Sequence, residues 1–107
     1  MTAKTRQQQI EEMLADDPND PFLRYGLAME HVAAKDDEGA VRCFRELFAV
    51  APTYVPAYLQ AGQTLTRLGR PQEAAEVFRQ GMAVAQREGD QHAYGEMEGM
   101  LAALVDE

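Results

Sequence analysis

The sequence predicts an all-α chain, an α-α superhelix of about six antiparallel helices, on three observations. Apolar residues recur three and four positions apart, and strand-like alternation bounded by turn signals is missing. Proline, glycine and aspartate fall at intervals of one short helix. Sliding the 107-residue sequence by 34 positions brings Ala40 onto Ala74, Phe44 onto Phe78, Arg45 onto Arg79, and Ala49-Val50-Ala51 onto Ala83-Val84-Ala85. A period of that length with two helices per unit marks a solenoid, whose units bury their apolar faces only by stacking.

The first helix covers roughly Lys4 to Ala15, with Ile10, Met13 and Leu14 as its stripe. Pro18 discourages continuation, Asp20 caps a second helix and Pro21 fits its first turn. That helix runs to about Ala34. Asp36 or Asp37 then starts a third, which ends near Val50 before Pro52. A fourth runs from about Pro56 to Gly69, a residue free to take the left-handed closing conformation. Pro71 opens a fifth that reaches about Arg87. Gly89 and Asp90 stop it and start a sixth, which ends near Val105 with Tyr94, Met97, Leu101 and Leu104 on one face. The acidic runs Asp16-Asp17 and Asp36-Asp37-Glu38 fall at junctions, where carboxylates are expected to cap helix N-termini rather than bind cations.

Residues 55–88 carry Tyr58, Ala61, Gly62, Leu65, Gly69, Ala74 and Phe78 in a spacing that resembles the tetratricopeptide repeat family. The pattern pairs large and small residues so that two helices interlock: Gly62 and Ala74 permit close approach, and Phe78 is expected to fill the space beside the following helix. Residues 21–54 form a more worn unit. They keep Leu27, Ala28, Ala40, Phe44 and Pro52, but place Arg24 and His31 where the family has large apolar residues. Residues 1–20 resemble the second half of a repeat, since Ile10, Met13, Leu14 and Pro18 precede Phe44, Leu47, Phe48 and Pro52 by one period. Residues 89–107 resemble a capping first half, two residues out of register. The resemblance implies one domain over the whole chain, acting as a non-catalytic adaptor.

In this family the first helix of each pair lines a concave groove that holds peptides or extended segments. The groove places here are Phe22, Tyr25, Met29 and Val32 from the first unit, and Leu59, Gln63, Thr66 and Arg67 from the second. The partner expected is a protein or peptide. A homo-oligomerisation module, with the groove or last helix mating with a second copy, is the rival reading. Some members clamp a C-terminal carboxylate with Lys, Asn and Arg. The clamp places here hold Tyr25, Met29 and Gln60, which argues against such capture.

Composition narrows the rest. Hydrophobic residues are 46% and charged residues 26% of the chain, the balance of a globular protein. Eighteen acidic against ten basic residues give a net charge of −8, which repels nucleic acid and anionic lipid. No apolar run suits a signal peptide or membrane span. Cys43 is the single cysteine, so a reducing, cytoplasmic setting is expected. His31 and His92 stand far apart and Cys43 lies in no motif, so neither a metal, a cofactor nor a catalytic residue is expected. No phosphate loop or nucleophile elbow is present.

Overall fold

Six helices follow one another in a computed structural model that describes residues 3–105. They are α1 (Arg6–Asp16), α2 (Pro21–Ala33), α3 (Asp37–Val50), α4 (Val55–Arg67), α5 (Pro71–Glu88) and α6 (Gln91–Val105), with no strand among the described residues. Each packs on the next in sequence, and α4 also touches α6. The result is elongated, 51 × 28 × 19 Å, as expected when units contact only their neighbours.

Local chemistry explains where helices begin. Thr5 and Gln8 form a reciprocal capping box on α1. Asp20 accepts from the Phe22 and Leu23 amides with Pro21 at the first position of α2, and Asp36 accepts from the Gly39 amide of α3. The turns inside the two helix pairs close through left-handed residues one period apart, Lys35 at φ 61° and Gly69 at φ 73°. The Asp16-Asp17 run does not cap an N-terminus as the sequence reading expected. It sits at the C-terminal end of α1, whose last turn holds no basic residue, because Pro18 places the helix break after the acids rather than before them.

The core runs along the α2–α6 seam: Ala28, Ala40, Phe44, Leu47, Ala57, Leu65, Ala74, Phe78, Ala85 and Met97 are fully enclosed. Gly62 and Gly81 sit where side chains collide across helices. A Cβ on Gly62 would stand 2.3 Å from the Phe78 ring, and one on Gly81 would stand 2.5 Å from Met97 Sδ and Tyr58 Cβ. Phe78 therefore packs back onto α4 of its own pair, besides bordering Met100 of the following helix α6. Between the pairs, Phe48 stacks on Tyr58 with ring centroids 4.3 Å apart and planes 11° off parallel.

Candidate functional site

Helix α2 encloses one residue, Ala28, whereas α4 encloses seven. The apolar positions Phe22, Tyr25, Met29 and Val32, spaced three, four and three apart, thus share a face of α2 that the core leaves partly uncovered. Phe22 is 73% exposed, and the other three are half-buried. Tyr25 is held by its neighbours: its ring lies 5.4 Å from Tyr54 and 6.3 Å from Phe44. Burial, and then Tyr54, push its hydroxyl pKa upward, so the phenol stays neutral and can only donate or accept hydrogen bonds.

Six of the eight groove residues predicted from sequence line two separate clefts. Phe22, Tyr25 and Met29 line a cleft of about 310 Å³ between α1 and α2, together with Ile10 and Met13. Gln63, Thr66 and Arg67 line a second, of about 480 Å³, between α4 and α6, with Phe78, Met100 and Leu104. Val32 and Leu59 are half-buried against the core and border neither. The α1 and α6 walls were not among the predicted positions. A signal for Met13 existed: it stands one period before Leu47, a core residue.

Arg67 is also committed elsewhere. Its guanidinium donates to both carboxylate oxygens of Asp37, at 3.2 and 3.1 Å, and to Thr64 Oγ1 at 3.1 Å. Arg70 reaches Glu38 and Arg45 reaches Glu73, so three ion pairs tie the first helix pair to the second. Each is partly exposed and contributes modestly; the bidentate Arg67–Asp37 pair is the best aligned.

The reactive side chains have structural partners. His31 Nδ1 lies 2.9 Å from Asp36 Oδ2. The Gly39 amide, then His31, hold the Asp36 carboxyl below the usual aspartate range. Burial, then Glu46, pushes the Cys43 thiol up to about 11, which keeps it protonated and a poor nucleophile near neutrality. His92 pairs with Glu96 at 2.9 Å on an exposed face of α6. Among the described residues no three His, Cys, Asp or Glu side chains converge as metal ligands, and no helix is long and apolar enough to cross a membrane.

Compared with known proteins, the chain is 30% identical over 95 residues to a TPR repeat-containing protein of Pseudomonas aeruginosa, spanning 89% of this chain and 90% of that protein. A 40-residue stretch, 37% of the chain, is 50% identical to part of the human TPR and ankyrin repeat-containing protein 1, of which it spans 1%. Among solved structures, a tetratricopeptide repeat domain protein from Salinibacter ruber matches with TM-score 0.78 and 35% identity, over 83% of this chain and 90% of that one. A protein from Bordetella parapertussis matches with TM-score 0.83 and 27% identity, over 97% of this chain and 90% of that one. No protein-family model matches the chain.

Proposed function

The chain belongs to the tetratricopeptide repeat family of helical protein-interaction modules, and from that premise we propose that it is a non-catalytic adaptor holding a peptide or protein segment on the surface lined by α2 and α4. Residues 21–54 and 55–88 serve as its two repeats, flanked by a helix on each side. One observation carries the reading: the Phe22, Tyr25, Met29 and Val32 face of α2, an apolar stripe that internal packing leaves part-covered. Exposed aromatics and methionines at helical spacing concentrate binding energy, and a methionine adapts its shape to the partner. The single free thiol of Cys43 fits a reducing, cytoplasmic setting.

The test is site-specific photo-crosslinking in cells. A benzophenone amino acid at Met29 or Gln63 reports on the inner surface, and one at Glu76 or Arg79, exposed on α5, reports on the outer. Discrete protein adducts from the inner positions and none from the outer ones are expected. Adducts confined to the outer positions would contradict the proposal.

A further inference from the structure

Helices α1, α3 and α5 occupy equivalent places one period apart, yet among the described residues α1 is packed on one side where α3 and α5 are packed on two. Helix α3 packs on both α2 and α4, and α5 on both α4 and α6, whereas α1 packs on α2. The side chains record the difference. Leu47 of α3 is fully enclosed, and Met13, its equivalent in α1, is 48% exposed beside the 73% exposed Phe22. The cleft between α1 and α2 is thus the berth a preceding helix takes in the later units, and its floor is apolar: Ile10, Met13, Phe22, Tyr25 and Met29.

The charges around the berth select its occupant. At one end Arg6 already pairs with Glu30 at 3.3 Å. At the Met13 and Phe22 end, Asp16 and Asp17 are exposed, have no cationic partner among the described residues, and add to the negative end of the α1 dipole. A second copy fits badly. Its last helix carries Glu96 and Glu98 and no Lys or Arg, and each copy brings a net charge of −8. Arg6 stands where Ala40 and Ala74 allow close helix approach, so an incoming helix is held off at that end and makes its contact at Met13 and Phe22.

We propose that the cleft between α1 and α2 seats an amphipathic helix of a basic protein partner, its apolar stripe on Met13, Phe22, Tyr25 and Met29 and its Lys or Arg residues toward Asp16 and Asp17. The inference rests on the adaptor reading and deepens it, by naming a subsite and the chemistry of what fills it.

Titration of the ¹⁵N-labelled chain with a synthetic amphipathic helix of about 15 residues, leucines on one face and lysines at its N-terminal end, tests this. Saturable shifts are expected at the Gln9, Met13, Phe22 and Gly26 amides. A glutamate-flanked version of the peptide should bind about tenfold more weakly. Phe22→Ser, at an exposed position that leaves folding intact, should weaken the lysine peptide by about tenfold. The double change Asp16→Lys, Asp17→Lys should reverse the preference to the glutamate peptide. Equal binding of both peptides, or no shifts, overturns the proposal. Shifts confined to Gln63, Thr66 and Arg67 overturn it and leave the inner-surface reading standing. Shifts in the α1–α2 cleft that grow with the concentration of the free chain show a second copy as the occupant and also overturn it.

Discussion

In the first helix pair Arg24 Nε donates to the carbonyl of Pro18 at 2.5 Å, and one period later the Tyr58 hydroxyl donates to the carbonyl of Pro52 at 2.6 Å. The same inter-unit hydrogen bond is made by different chemistry. Arg24, which departs from the family pattern, retains the contact and adds a 3.0 Å bond to Glu46. The inner turns differ likewise. The second pair turns on Gly69 and starts α5 with Arg70, whose side chain caps nothing. The first pair turns on Lys35, a strained left-handed residue, and follows it with Asp36, which caps α3 and holds His31. The contact to the proline carbonyl and the left-handed turn repeat across the two pairs with different residues, whereas the side-chain cap belongs to the first pair alone.

The largest expected effect sharpens the tight half of this comparison. Phe78→Ala should cost about 3–5 kcal/mol in chemical denaturation, since the ring is enclosed over Gly62 and nothing else fills the space. A loss below about 1 kcal/mol would show that the second pair is not locked there. Gly62→Ala should cost roughly 1–3 kcal/mol, because the added Cβ would meet three Phe78 carbons at 2.3–2.6 Å. Combining Gly62→Ala with Phe78→Leu should recover part of that loss if the ring is the obstacle.

Tyr58→Phe tests the shared hydrogen bond and should cost about 1 kcal/mol, most visibly as weaker coupling between the pairs in a denaturation slope. Lys35→Gly should stabilise by a few tenths to about 1 kcal/mol, relief of the left-handed strain exceeding the added entropy of the unfolded chain. The converse, Gly69→Lys, should lower the melting temperature.

The smallest effect is one of pH. The folded carboxyl of Asp36 is held below its ordinary value by the Gly39 amide and His31. Its contribution is therefore complete above the ordinary aspartate range and is lost as pH falls through the lowered folded value. Melting temperature recorded down that acid range should fall less steeply for Asp36→Asn than for the natural chain.

The fold was legible in the sequence because the period, the small residues Gly62 and Ala74, and the Pro and Gly punctuation each act locally and all agree. The partition of the groove residues was less legible. Periodicity puts Phe22, Tyr25 and Gln63, Thr66 on inner helix faces, but not in separate clefts, because that depends on how α1 and α6 lean against their neighbours. The pairing of Arg67 with Asp37 was not legible, because the partner is 30 positions away. The acids at Asp16-Asp17 were misplaced by one helix end, the margin by which a proline decides a boundary.

The α1–α2 end presents a part-covered apolar face, Met13 and Phe22, where the equivalent Leu47 of α3 is enclosed. Native-state hydrogen exchange on the free chain measures this most directly. It should find amides of α1 exchanging fastest among the helices, α2 intermediate, and α4 and α5 slowest, as expected where a solenoid unit has a neighbour on one side only. Protection of α1 equal to that of α4 would mean this end is already closed, with no apolar face awaiting a partner.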